Sequence, residues 1–420
     1  MPPRPPAAKR MTIKRDPEEF VVEELLSPSL LDGLSQAPRP FALYRLTKTG
    51  LTTPQAAAAA ARSLGLPGGA VAYAGLKDKH SHAIQHLTAQ AAAAAHEAPA
   101  AAQGPGWAVE RLGWLDRALS SGDIAGNRFH IVVHGLTRQA GDDMDKAVEL
   151  LGVEMGTQGS PEHSAGSRAV RFVNYFGDQR FGSARHGRGF LARALVKGDF
   201  ETALKLAIAT PARKDSGAQK RFKRAVAEGW GRWPELLPLL ARCPERRAVE
   251  RLVYSGRDFR AAFAALPYFF QQLCVYAYQS SLWNQTARAL VAQRCANLGP
   301  VLAAADPFGE MLFPAPRAVP AEFAGMELPL LGYKSELREP WRGAAEQVLS
   351  AEGLSTDELR IPGMRRPFFK EEPRQLFAEA REFVLSAPEP DGDAGRSKRT
   401  LSFVLPRGAY ATVLLRALGQ

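Results

Sequence analysis

An aspartate set between two lysines, Lys77-Asp78-Lys79, follows the apolar run at residues 71–76, "VAYAGL". Nearby positive charge favours the ionised form of a carboxylate, so an aspartate held there is suited to act as a nucleophile. The same tripeptide also suits a solvated turn, and the tripeptide by itself does not separate the two readings. His80, His82 and His86 come directly after it. In an unbroken strand Asp78, His80 and His82 share a face, a spacing open to a metal ion and to metal-dependent hydrolysis. Lys77 and Lys79 would repel a cation, and no further carboxylate or cysteine lies nearby. Surface histidines are therefore the default, and no metal is expected.

Two further stretches carry side chains of chemical use. In "DIAGNRFHIVV", Gly126-Asn127 comes two residues ahead of Phe129. A strand there projects Asn127 and Phe129 to one face, an amide to hydrogen-bond a base and a ring to stack on it. Equally, Gly-Asn serves as a turn entering a strand whose Phe129 sits in a core. The second stretch, residues 168–193, holds Arg168, Arg171, Arg180, Arg185, Arg188 and Arg193 with one acid, Asp178, and interleaves them with Phe172, Tyr175, Phe176 and Phe181. Arginines contact phosphates, aromatic rings stack on bases, and glycines let a backbone approach closely. A merely solvated basic face has no need of four aromatics, so nucleic-acid binding is the favoured reading. The basic runs at 213–224 and 396–399 read as solvated surface.

The elements that must position these residues are legible in outline. "DPEEFVVEELL" and "FALYRLTKTG" read as strands, and "TTPQAAAAAARSLGLPGG" as a helix with Thr53 as its cap and Pro54 at its first position. The strand at 71–76 follows, then "AQAAAAAHEAPAAAQGPG" as a low-complexity exposed excursion. "WAVERLGWL" and "NRFHIVVHGL" read as strands, with a helix starting near Asp142. Residues 189–346 carry helical periodicity. "TDELRIPGMRRPFFK" and the C-terminal "EFVLSA" and "TLSFVLPRGAYATVLLRAL" restore strands and a closing helix that rejoin the first sheet. The expected class is α+β. The expected organisation is a basic disordered tail over 1–10, a catalytic domain over 11–188 and 347–420, and a helical insertion over 189–346.

Bulk properties agree. The 420 residues are 45% hydrophobic and 23% charged, long enough for two cores. Lys and Arg number 54 against 43 Asp and Glu, a formal charge of +11, which points to a polyanionic partner. Cys243, Cys274 and Cys295 form no Cys-x-x-Cys pair, so neither a disulfide framework nor a zinc ribbon is supported, and a reducing cytoplasm fits. "MPPRPPAAKR" lacks the apolar core of a signal peptide, and no run of 18 apolar residues occurs, so a soluble protein is expected.

Taken together, "IKRDPEEFVVEE", "AGLKDKHSHAIQ", "GNRFHI", "NYFGDQRFG", "AYQSSLWN" and "LPRGAYATVLLRAL" resemble, in order, the motifs of the TruD family of pseudouridine synthases. The resemblance implies a catalytic domain of pseudouridine-synthase type, with a twisted, mainly antiparallel sheet interrupted by a helical domain special to the family. It implies isomerisation of a uridine in RNA, uridine 13 of transfer RNA in bacterial members, without cofactor or metal and with no obligate protein partner. Asp78 falls on the family's essential aspartate and Lys14 on the basic residue that pairs with it. Phe129 falls on the aromatic that stacks with the target base, and Asn127 on its hydrogen-bonding neighbour. Asn174, Tyr175, Gln179 and Arg180 of the most distinctive block, with Lys77 and Arg171, are further candidate substrate-binding residues. The chain departs from the family where Ala-x-Thr-x-Gln is usual: here the positions read Ser81, Ala83 and Gln85. A competing class is a catalytically silent RNA-binding protein using the same basic surface.

Overall fold

The period-two pattern of the N-terminal strands and the small-residue face of the first long helix build the frame of the site. A computed structural model describes residues 11–13, 15–67, 69–90, 99–154, 168–181, 189–212, 215–392 and 395–419. The chain divides into two units, one running up to Phe172 and resuming at Ala378, the other Val173–Phe377. The sequence expectation set the seams at 188/189 and 346/347. The earlier first seam arises because Tyr175 and Phe176 pack edge-on against Trp283 and so belong to the helical unit.

The first unit contains β1 (Phe20–Leu26), β2 (Phe41–Lys48), β3 (Val71–Tyr73), β4 (His82–Gln90), β5 (Ala101–Gly104), β6 (Trp107–Leu115), β7 (Ile124–Leu136), β8 (Gly152–Glu154) and β9 (Arg168–Val173). The second unit adds β10 (Val301–Ala304), β11 (Met311–Pro314), β12 (Glu327–Leu330) and β13 (Glu372–Gln375). The chain then returns as β14 (Phe377–Leu385), β15 (Glu389–Pro390) and β16 (Ser397–Pro406). Among the described residues twelve strands form one sheet in the order β5-β6-β2-β4-β1-β7-β16-β14-β9-β8, with β3 added on β4 and β15 on β16. β1 and β4 run parallel, whereas β7 is antiparallel to both β1 and β16, and β2 to both β4 and β6. The sheet is mainly antiparallel and the class is α+β, as expected. The C-terminal strands do rejoin the first sheet, through β16 on β7.

The helix Thr53–Ser63 lies on this sheet, where Ala56 and Ala60 pack with Tyr44, Leu46, Leu87, Trp107, Val109 and Trp114. Alanines at i and i+4 let the helix approach the strands closely. Its cap is Thr52 rather than Thr53: the Thr52 hydroxyl accepts from the Gln55 amide and Gln55 Oε1 accepts from the Thr52 amide, a reciprocal box. The helix Arg138–Leu151 starts ahead of Asp142, because Thr137 caps it and the glycine at 141 is tolerated inside it. β3 stops at Tyr73, short of residue 76, and Leu76 is 68% exposed. Of the Ala-rich excursion, residues 91–98 lie outside the described residues and β5 pairs with β6 as a hairpin.

In the second unit the helix Tyr268–Arg294 is buried on most sides, from Gln271 and Cys274 to Trp283 and Leu290. A helix wrapped on all sides carries apolar residues all round. Around it stand shorter helices such as Gly217–Glu228, Arg246–Ser255 and Arg342–Glu352, and two small antiparallel pairs, β10 with β11 and β12 with β13. Of these strands β10, β11 and β12 interrupt the stretch expected to be helical. Conversely, "TDELRIPGMRRPFFK" forms one short 3-10 turn, Thr356–Glu358, and no strand, because Pro362, Gly363 and Pro367 punctuate it. Among the described residues no helix is long and apolar enough to cross a membrane.

Candidate active site

Asp78 stands in the loop joining β3 to β4, half-buried, and is held through both its main chain and its side chain. Its carbonyl oxygen accepts from Lys48 Nζ at 2.7 Å and from Ser81 Oγ at 2.9 Å, and its Oδ1 accepts from the His80 amide at 3.1 Å. One residue earlier, the Lys77 amide donates to Thr53 Oγ1 at 2.9 Å, and that hydroxyl donates to Gln85 Oε1 at 2.8 Å. Thr53 and Gln85 are fully buried, so the loop is clamped between the first helix and β4. The two flanking lysines do different things: Lys79 is exposed, and Lys77 turns inward.

Lys77 Nζ donates to Glu24 Oε2 at 2.8 Å and to Asn127 Oδ1 at 2.9 Å. Glu24 sits opposite Asn127 in the β1–β7 register, and its Oε1 accepts from the His86 amide at 3.0 Å. Burial by itself would push the Glu24 carboxyl up, but its contacts with His86 and Lys77 outweigh burial and hold it below its ordinary value. Two residues along β7, Phe129 stands opposite Val22 on one side and Phe403 on the other. Its ring stacks on Phe403 at 5.4 Å and meets Phe20 edge-on at 6.4 Å, and it remains half-buried. Gly126 is required here, since a Cβ would fall 2.3 Å from the Leu405 carbonyl oxygen of β16. Asn127 and Phe129 thus share a face, as the strand reading expected, and Lys77 joins that face to the Asp78 loop.

The other sequence candidates fall elsewhere. Lys14 lies outside the described residues. Its neighbours are pinned: Thr12 bridges His134, and Arg15 forms a bidentate pair with Asp391 at 3.1 Å. Arg171, in β9, pairs with Glu379 at 2.8 Å. Asn174 and Tyr175 are buried within the second unit. Asn174 accepts from Arg374 Nη2 at 2.7 Å, and the Tyr175 hydroxyl bonds the main chain of Leu312. Gln179 is exposed, and Arg180 donates to Ser280 Oγ at 2.9 Å while its guanidinium covers the Phe176 and Tyr276 rings. The four aromatics that favoured a stacking surface are core residues: Phe172, Tyr175, Phe176 and Phe181 are each at most 5% exposed. A ring with that little surface cannot stack on a base, so this part of the expectation is corrected. The three-ligand metal reading fails on geometry, because residues 79–81 form a turn and β4 begins only at His82. Among the described residues no group of three or more His, Cys, Asp or Glu could hold a metal ion.

The family model for tRNA pseudouridine synthase D matches residues 8–306 and 311–418. The chain belongs to the TruD family. As a TruD protein it is a pseudouridine synthase. It is 28% identical to the tRNA pseudouridine synthase D of Aquifex aeolicus, with 97% of both chains covered, and 30% identical to that of Geobacter metallireducens, with 96% of this chain and 94% of the relative covered. Its fold matches the crystal structure of a putative TruD from Methanosarcina mazei with a TM-score of 0.68, at 22% identity and covering 97% of this chain and 92% of that one.

Of the two positions at which the sequence departs from the motif it resembles, the Ser81 hydroxyl donates to the Asp78 carbonyl and Ala83 is fully buried on β4. Three residues of the site went unnoticed in the sequence: Glu24, Lys48 and Thr53. Two of them were signalled. Glu24 continues the inward series Phe20, Val22, and Lys48 the inward series Tyr44, Leu46, so each is a charge at an apolar strand position. Burial pushes the Lys48 ammonium down to about 8, with Asp78 opposing and Lys77 adding to the push. Between that value and the ordinary 10.5, the unfolded chain binds the proton that the folded chain has released, so stability rises with pH across the window. Lys48→Met removes this slope: in thermal melts the wild type should gain on the variant as the pH is raised from about 8 to 10.5. A difference independent of pH would show that Lys48 titrates as an exposed lysine does.

Proposed function

We propose that this TruD protein converts a uridine of tRNA, uridine 13, to pseudouridine with Asp78 as the nucleophile. The observation that carries the reading is the bond from Lys77 to Asn127, because it ties the loop bearing Asp78 to the strand bearing the amide and ring that would receive a base. The target nucleotide leaves its stack, as enzymes acting on bases require, and enters against Phe129. Asp78 attacks at the ribose anomeric carbon or at the uracil ring. The N1–C1′ bond breaks, the uracil rotates, a C5–C1′ bond forms, the bond to Asp78 breaks so that its carboxylate is released, the C5 proton leaves to solvent and N1 gains one. Substrate and product are isomers, so the step consumes no oxidant or reductant. Lys14 pairs with Asp78 in this reading. The names of the relatives and the charge of +11 support a tRNA substrate, met in the cytoplasm.

The test is release of tritium from unmodified tRNA labelled at uridine C5, with chelator present. The wild type should release it to water, and no release would end the proposal. Phe129→Ala should retain RNA affinity and lose roughly 10- to 100-fold in rate, since stacking of one base is worth ~1–3 kcal/mol. A rate equal to wild type would remove Phe129 from the base site.

A further inference from the structure

The ammonium of Lys77 carries N–H donors and no acceptor. An asparagine amide can face either way in a site, but beside an ammonium only its oxygen can be turned inward. The contact of 2.9 Å between Lys77 Nζ and Asn127 Oδ1 therefore fixes the amide, with Nδ2 turned away from Lys77. Lys77 is itself immobilised: Glu24 is 2% exposed and bonds Nζ at 2.8 Å, and the His86 amide holds the other carboxylate oxygen. Glu24 and Asn127 are directly paired across β1 and β7, so sheet register sets these two groups, and Lys77 is brought to them by the loop that Thr53 and Gln85 clamp.

We propose that Lys77, anchored by Glu24, is a positioning residue that turns the Asn127 amide nitrogen to the target base, so that the site reads a uracil carbonyl both before and after the base rotates. The inference rests on the pseudouridine reading above and deepens it. For C5 to take the place of N1, the uracil makes a half-turn about the line through N3 and C6. That turn exchanges the C2 and C4 carbonyls. A fixed N–H donor thus meets a carbonyl oxygen in the substrate and again in the product. Cytosine carries an amine at C4, so at one of the two stages it sets donor against donor. Site groups left unpaired by a wrong partner are a strong source of discrimination.

Asn127→Asp tests this directly. The variant keeps the shape and converts the contact with Lys77 into an ion pair, but it offers oxygens alone. It gives Lys77 an anionic partner while setting a second carboxylate opposite Glu24, and it should still melt cooperatively and lose about 100-fold or more in single-turnover rate. An asparagine with a merely structural role would be well served by the aspartate, so wild-type turnover by Asn127→Asp overturns the proposal. The double variant Glu24→Gln/Lys77→Met leaves no buried carboxylate alone and frees the amide to turn either way. It should lose roughly 10-fold in rate with RNA affinity retained, and an unchanged rate would remove Lys77 from the positioning role. The wild type in the same assay separates the two levels: an inactive wild type defeats the proposed function, whereas an active wild type matched by its variants defeats this inference alone.

Discussion

Asp78→Asn should form no measurable pseudouridine while binding tRNA as the wild type does. The substitution preserves shape. The Asp78 carbonyl that accepts from Lys48 and Ser81 is main chain and is untouched, and an amide oxygen can still accept from the His80 amide. What is lost is the carboxylate, and removing a nucleophile costs on the order of 10⁴-fold or more in rate. Single-turnover assays with saturating enzyme separate this from a binding defect. A variant that loses affinity and rate together would place Asp78 among the RNA-positioning residues instead.

The second large effect concerns the fold of the most distinctive motif. Trp283→Ala should destabilise the second unit by about 4 kcal/mol, the usual cost of removing a large buried aromatic side chain. Trp283 is 2% exposed, donates from its indole N–H to the Leu328 carbonyl at 2.8 Å, and meets Tyr175 and Phe176 edge-on at 6.4 and 5.7 Å. Arg374 closes the assembly: its guanidinium lies 4.0 Å over Phe176 and 5.4 Å from the Trp283 ring, and it bonds Asn174. Truncation removes the centre of this packing, and the thermal midpoint of a unit this size should fall by about 10 °C. Trp283→Phe, which mainly orphans the Leu328 carbonyl, should lose about 1–2 kcal/mol. Should Trp283→Ala melt normally yet lose RNA binding, "NYFGDQRFG" would be an RNA-reading surface and not a core.

This second case also marks the limit of what was legible. Arginines interleaved with aromatics look the same whether a ring stacks on a base or packs edge-on against Trp283, because burial of Tyr175 depends on a helix a hundred residues away. Local pattern served better where one strand contains the signal. Asn127 and Phe129 share a face because strand residues alternate, and β7 carries both. Asp78 was visible as a residue type, but its surroundings were not. The lysine that turned out to bond its carbonyl is Lys48 of β2, while its neighbour Lys77 serves Glu24 and Asn127. Those partners come from three strands whose registers no single stretch encodes. Likewise, the sequence reading put Thr53 at the helix cap, and only the fold assigns that role to Thr52 and gives Thr53 to the Asp78 loop.

The most direct measurement is nucleotide-resolution pseudouridine mapping of tRNA from cells lacking this protein, complemented with either the wild type or Asp78→Asn. The account predicts one pseudouridine, at uridine 13, that disappears without the protein, returns with the wild type and stays absent with Asp78→Asn. Return of that pseudouridine with Asp78→Asn, or a tRNA map unchanged by loss of the protein, would contradict it.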